Sequence, residues 1–229
     1  MRRAVGAREL LDGPLPPAAL EATLQDIDRL NAWFGGHALT LSRVGRAAAR
    51  LPRDRCLVVV DVGGGRGDFA IALVRWARRR RRPVRVLVLD SEPAVLGLAR
   101  RHTAGYPEIT LVQADAAALP IRDGAADVAV STLTLHHLEG DSAVSCLAGM
   151  AAAASLAVVN DLLRTRLSLV VAWLSTRVFG LHPVSRHDGP LSVRRAYSAA
   201  ELSGLAARAG VCARIRRYPW LARLVAEIP

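Results

Sequence analysis

The chain has 229 residues, 52% of them hydrophobic, enough for a sizeable core and too many for a disordered tail. Its 31 basic and 20 acidic residues give a formal charge of +11, and every basic residue is arginine. With no lysine and alanine runs such as Ala151–Ala154, part of that charge reflects compositional bias, and only the rest argues for an anionic partner.

The length suits one domain with additions. Cys56, Cys146 and Cys212 stand in no metal-ligand spacing, so a reducing compartment and no metal site are expected. No signal-peptide core precedes residue 18, and Leu167–Leu181, interrupted by Arg177, is too short to span a bilayer. A soluble, cytoplasmic protein is the expectation. The run Arg78–Arg82, flanked by Arg75 and Arg85, reads first as the solvated end of a helix and second as an anion-binding patch.

In chain order, Leu20, Leu24, Ile27 and Leu30 recur by four and three and predict a helix over 18–30. Gly35 and Gly36 break it, and a second helix runs over 39–51. Residues 1–52 thus read as a helical N-terminal cap and 53–229 as the main domain. Cys56–Val62 is a continuous apolar run ending in glycines, the pattern of a strand buried on both faces. A helix over 67–82, a strand over 84–90, a helix over 93–102 and strands over 109–113 and 127–131 follow. Then come a helix over 142–153 and a fifth strand over 156–161. This order dictates a parallel, doubly wound sheet. A long helix is expected over 165–179, then a loop holding His182, Pro183, Asp188, Gly189 and Pro190. Ser198 and Glu201 form a capping box for a helix over 198–209, closed by Gly210. Strands over 211–217 and 220–228, around Pro219, complete a seven-stranded, mostly parallel α/β sheet.

The densest chemical signal is Asp61-Val-Gly63-Gly64-Gly65-Arg66-Gly67 at the end of the first strand. Glycines at a strand-to-helix turn let a ligand approach backbone N–H groups closely, and Gly65-x-Gly67-x-x-Ala70 also fits a dinucleotide loop. Asp61 would repel a pyrophosphate and favour a cation. Asp90 closes the second strand, followed by Ser91, and Asp115 with Ala116 follows the third. Three acids at successive strand tips suit a charged amine, a ribose diol and an exocyclic adenine amine, all of which S-adenosylmethionine carries.

In the order and spacing of these residues the chain resembles class I S-adenosylmethionine-dependent methyltransferases, from about residue 57 to 229. The resemblance implies a Rossmann-like methyltransferase fold, with the glycine loop (Gly63, Gly64, Gly65, Gly67), Asp61, Asp90, Ser91, Asp115, Ala116 and Ser131 around the cofactor. Within the family the chain is similar to small-molecule enzymes of the ubiquinone, menaquinone and polyketide-tailoring kind. Leu135-His136-His137-Leu138, Asn160-Asp161-Leu162 and the segment Asn31–Gly36 carry that likeness, while Ala151–Ser155 replaces the Pro-Gly-Gly turn common before the fifth strand.

Candidates for the chemistry must lie at the carboxyl edge of the sheet. His136 and His137 follow the fourth strand and suit a proton acceptor; packing beneath the next helix is their other reading. Asp161 ends the fifth strand, where it either serves the site or caps a helix, and Arg164 is near enough to hold an acceptor oxygen. His187 and Asp188 sit in the expected loop, as a lid or as a plain surface turn. Trp33, Phe34, Trp173 and Phe179 read as core aromatics before pocket walls.

The reading that follows is methyl transfer to an oxygen or carbon of a hydrophobic phenolic, quinone-like or polyketide molecule. Its rivals are an RNA methyltransferase using the arginine surface, a cofactor-binding relative that does not methylate, and a nicotinamide oxidoreductase. A monomer or homodimer is expected, with the 167–181 segment as a lid, a dimer face or a transient membrane-surface contact.

Overall fold

A computed structural model describes residues 1–229. Seven strands form one sheet: β1 (Leu57–Val62), β2 (Val84–Asp90), β3 (Ile109–Gln113), β4 (Val128–Thr132), β5 (Ala157–Leu162), β6 (Arg214–Tyr218) and β7 (Arg223–Ile228). Their order is β3-β2-β1-β4-β5-β7-β6, and β7 alone runs antiparallel to its neighbours. The chain order reverses between β1 and β4, which opens a crevice at their carboxyl ends, where ligands of open α/β sheets bind.

Eight helices surround the sheet: α1 (Pro17–Trp33), α2 (Gly36–Ala48), α3 (Asp68–Arg79), α4 (Pro93–His102), α5 (Asp141–Ala153), α6 (Arg166–Val178), α7 (Pro183–Arg195) and α8 (Ala199–Arg208). Short 3-10 turns lie at Leu10–Asp12, Leu135–His137 and Pro219–Leu221. On one face, Val44 and Ala48 of α2 and Leu73, Val74 and Ala77 of α3 bury Val59, Val86 and Val128. On the other, Leu147 and Met150 of α5 and Leu202 and Leu205 of α8 bury Val60, Ala129 and Val159. The valine-rich inner strands pack on both sides because crossover helices cover both.

The remaining helices build a roof over the carboxyl edge. Asn160 on β5 donates to Gly36 O and to Thr40 Oγ1, each at 2.9 Å, fixing the start of α2 to the sheet. Antiparallel α6 and α7 lie beside α1, whose Leu24 meets Val95 and Leu98 of α4. Residues 1–13 form a strap across this roof: Asp188 accepts the backbone N–H groups of Leu10 and Leu11, each at 2.9 Å, and Arg3 Nε donates to Arg195 O at 2.6 Å.

The loop expected over 182–190 is instead the first half of α7. His182 caps it by accepting the Val184 N–H at 3.3 Å, and Pro183 opens it with its φ already set. Pro190 sits inside the helix and leaves one helical bond unmade. What sustains α7 is tertiary. Its buried Ser185, Asp188 and Arg195 find partners in α1 and in the strap, while Ser192 donates back to Asp188 O, a polar seam with no apolar periodicity to betray it. The last strands are also shorter than expected, because Pro219 and the turn after it interrupt the ladder until Arg223. The capping box of α8 forms as expected.

Candidate active site

β1 delivers Asp61 and Val62 to the crevice, and the glycine loop turns there. The N–H groups of Gly63 and Gly64 both donate to Leu89 O, at 2.8 and 3.0 Å, pinning the loop to the end of β2. Gly63 is left-handed (φ +68°), and a Cβ there would stand 2.3 Å from Thr134 Cγ2. Gly65 is also left-handed (φ +56°), with open space where a Cβ would stand, so a ligand can come close to the backbone there. Gly67 caps α3, with φ +82°.

Asp90 accepts the Gly65 N–H at 3.1 Å with one oxygen and the Glu92 N–H at 3.1 Å with the other. Ser91 beside it is exposed, its carbonyl held by Gln113 Nε2 at 3.2 Å. Asp115 is exposed and takes the Ala117 N–H at 2.8 Å, placing Ala116 at the tip of the next loop. Two polar atoms in this crevice are buried and unpartnered, Asp61 Oδ2 and Ser131 Oγ. Burial, with Asp90 adding repulsion, pushes the Asp61 carboxyl up to about 7. Orphaned groups at a topological switch point mark a place prepared for a polar ligand, here one with a positive charge. The left-handed loop, the open approach at Gly65 and this acid set fit an adenosine cofactor with a cationic tail.

A second space lies under the roof. A cavity of about 120 Å³ is walled by Ile27, Leu30 and Phe34 of the α1 end, Val171 and Ala172 of α6, and Val193 of α7. Its polar lining is Glu9 of the strap with His136, His137 and Arg223, and the hydroxyls of Ser168, Ser175, Thr176 and Ser192. The 3-10 turn after β4 buries His136, whose Nδ1 lies 2.7 Å from Asp161 Oδ1 and whose backbone N–H donates to Asp161 Oδ2 at 2.9 Å. His137 Nδ1 lies 2.7 Å from Asp12 Oδ1. The two rings are 4.3 Å apart, and their Nε2 atoms approach the two Glu9 oxygens at 3.7 and 3.9 Å.

Burial pushes the Glu9 carboxyl above the usual range. At Asp161 burial acts the same way, but the His136 ring and the N–H donors of His136 and Leu162 outweigh it and hold the carboxyl low. Arg223, fully enclosed, is pushed down to about 10 by burial, against the pull of Asp161. Asp161 does not cap α6; Thr165 does, accepting the Ser168 N–H at 3.0 Å.

A family profile described as "Methyltransferase domain" matches residues 59–155, from β1 through α5. Residues 59–155 are thus similar to a methyltransferase domain. A relative from Mycobacterium tuberculosis, named as a probable S-adenosylmethionine-dependent methyltransferase, is 29% identical over 118 residues, covering 52% of this chain and 38% of that protein. The chain therefore matches well under half the length of that relative. A solved S-adenosylmethionine-dependent methyltransferase from Aquifex aeolicus superposes with a TM-score of 0.65 at 14% identity, over 94% of this chain and 98% of that one. The CurJ carbon methyltransferase reaches 0.68 at 11% identity, over 93% and 61%. The nicotinamide reading of the glycine loop gives way to this domain.

The methyltransferase domain thus brings Asp61, Gly63, Gly64, Gly65, Gly67, Asp90 and Ser131 to one crevice, with Ser91, Asp115 and Ala116 at the adjoining strand tips. The turn after β4 brings His136 and His137 to the cavity, with Asp161 of β5 behind the His136 ring. Two candidates fall elsewhere. Arg164 is paired with Glu201 at the start of α8 and does not line the cavity. His187 projects from the outer face of α7, more than half exposed, because Asp188 one residue on turns inward to hold the strap. Of the four aromatics, Phe34 lines the cavity, while Trp33, Trp173 and Phe179 are exposed rather than core. Glu9, Asp12 and Arg195 were not legible as site residues. Glu9-Leu-Leu-Asp12 reads only as a helix start, and nothing in its spacing points to histidines far along the chain.

Proposed function

We propose that this chain binds S-adenosylmethionine at the glycine loop and transfers its methyl group to an oxygen or carbon of a hydrophobic phenolic, quinone-like or polyketide molecule held under the roof. The observation that carries the reading is the cavity under the roof, 10 of whose 19 lining residues are hydrophobic and whose titratable groups include Glu9, His136 and His137. An engineered apolar cavity of 150 Å³ accommodates benzene, so about 120 Å³ is the scale of one ring or of the reactive end of a longer molecule.

When bound, the cofactor supplies a methyl group activated on a sulfonium, and the protein's part is alignment and proton management. Asp61 offers a carboxylate to the cationic tail, Asp90 an acceptor to the ribose hydroxyls, and Asp115 an acceptor beside the adenine edge. The acceptor hydroxyl or enol meets the polar wall, where the Nε2 lone pairs of His136 and His137 draw off its proton; such assistance is worth about 10²–10⁴ in rate. Asp161 and Asp12 keep the two rings in register.

The test is incubation with methyl-labelled S-adenosylmethionine and an extract of the source organism. Label that partitions into organic solvent supports the reading, and its mass names the acceptor. Label released from the aqueous phase by nuclease overturns it in favour of RNA. Cofactor binding without any transfer points to a non-methylating relative. Asp90→Ala should weaken cofactor binding at least tenfold by calorimetry, since the ribose loses a charge-assisted hydrogen bond.

A further inference from the structure

The polar wall has more order than proton transfer asks for. His136 and His137 each engage a carboxylate through Nδ1 at 2.7 Å, Asp161 for one and Asp12 for the other. That bond places the ring proton on Nδ1 and leaves a lone pair on each Nε2. Both lone pairs belong to the side of the rings that meets Glu9. An imidazole backed by a carboxylate is how proteins orient histidines that ligate metal ions, and here it occurs twice, side by side.

We propose that Glu9, His136 and His137 form a site for a divalent first-row cation, zinc being the ion that two imidazoles and one carboxylate suit best. The ligand atoms of the three residues all lie within 4.8 Å of one another. The Nε2-to-carboxylate separations of 3.7 and 3.9 Å compare with roughly 3.3–3.5 Å between neighbouring ligands on an ion bound at about 2.0–2.1 Å, so the trio needs to contract by only a fraction of an ångström. A separate observation points to the same ion. Glu9 is 5% exposed, and its Oε1, with the Arg195 guanidinium 3.2 Å away, makes no well-aligned hydrogen bond, so this buried carboxylate has capacity left for a second cation.

Charge agrees. Glu9, Asp12 and Asp161 face Arg195 and Arg223, three negative groups against two positive ones. A dication turns this deficit into a single positive excess, which a deprotonated acceptor oxygen neutralises. Arg195, 3.2 Å from Glu9, also pairs with Asp12 and keeps that partner when Glu9 turns to the ion.

Three protein ligands beside a cavity leave a coordination position open, the arrangement of a catalytic rather than a structural ion. The inference rests on the acceptor cavity proposed above and replaces the proton-accepting task of its two histidines, since an Nε2 lone pair that holds an ion cannot also take a proton. The ion holds the acceptor hydroxyl and lowers its pKa, so that its proton passes to solvent; no oxidant or reductant is involved. It also ties the strap, through Glu9, to the turn after β4.

The test uses the full chain, stripped with a chelator and titrated with zinc by calorimetry. One equivalent should bind with micromolar or tighter affinity. Glu9→Gln and His137→Ala should each weaken it at least tenfold while leaving the cofactor affinity unchanged. Cobalt loaded in place of zinc should give visible d–d bands of a low-symmetry nitrogen–oxygen site, lost in Glu9→Gln. Absence of a stoichiometric equivalent, or a Glu9→Gln protein that binds as tightly as the parent, overturns the site. Should His137→Ala not fold, Glu9→Gln, which changes one atom of the side chain, decides alone. Zinc binding without methyl transfer would leave the site standing and remove the proposed reaction, whereas transfer indifferent to chelator, with no zinc bound, would do the reverse.

Discussion

Asp61 shows how one residue can oppose stability and serve binding at once. Its carboxyl is buried with an unpartnered oxygen and is pushed up to about 7, where an unfolded chain has it near 4. A raised carboxyl pKa means the folded protein binds the proton more tightly, so this group's contribution falls as pH climbs from about 4 to 7. A cationic ligand favours the ionised form. Cofactor affinity should therefore rise with pH, approaching tenfold per unit well below 7 and levelling above it, as calorimetry between pH 5.5 and 8.5 would read. Asp61→Asn should flatten that profile, weaken binding at pH 8 and raise the ligand-free stability there by roughly 1–4 kcal/mol. Gly63 makes a simpler case: Gly63→Ala adds a Cβ 2.3 Å from Thr134 at a left-handed position, and should lower stability by about 1–3 kcal/mol in denaturant melts. These residues were legible in the sequence, because loop, spacing and acids all belong to one continuous stretch. Glu9 was not, because what makes it a site residue is contact with His136 and His137 through a fold that no local pattern encodes.

At the scale of elements, strands β1 to β5 follow from apolar runs and glycine turns, and the structure places them within a residue or two of expectation. α7 does not follow. Its sequence, with Asp188-Gly189-Pro190 at its centre, has turn chemistry throughout, and the helix exists because the strap and α1 satisfy its polar seam. Gly189 contributes too, for a Cβ there would lie 2.9 Å from Thr176 on α6, so the two helices meet closely only without one. The strap in turn depends on α7. Asp188→Ala would leave two amides without their carboxylate and should cost about 2–4 kcal/mol of strap docking. Hydrogen exchange should speed up over residues 9–13 and stay unchanged in β1 and β4, and the KM for the acceptor should rise.

For the molecule as a whole, the sheet supplies the crevice proposed for the cofactor and the helical roof the cavity proposed for the acceptor. The two carry different amounts of sequence information. The crevice sits at the reversal of strand order, a position fixed by topology, and so it could be read before the structure. The roof joins residues from both ends of the chain, and only His136, His137 and Asp161 among its polar groups lie in a recognisable motif. On the outside, α6 leaves Leu167, Val170, Trp173 and Leu174 about half exposed while Val171 and Ala172 face the cavity, so this one helix is apolar toward solvent and interior alike. No helix is long and apolar enough to cross a membrane. A ligand that engages the native crevice and not the unfolded chain should stabilise the whole cooperative unit. S-adenosylmethionine at a hundred times its Kd should add about 2.7 kcal/mol and raise the Tm by roughly 5–10 °C in differential scanning.

The strap also has a place in time. Leu10 and Leu11 depend on Asp188, and Arg3 on Arg195, pairs separated by up to 192 positions. The strap is made well before α7, so it has nowhere to dock until residues 183–195 have left the ribosome and formed their helix. The glycine loop, by contrast, finds its partners Leu89 and Asp90 within thirty residues. Contacts of such different reach close at different stages of folding, the local ones at lower entropic cost.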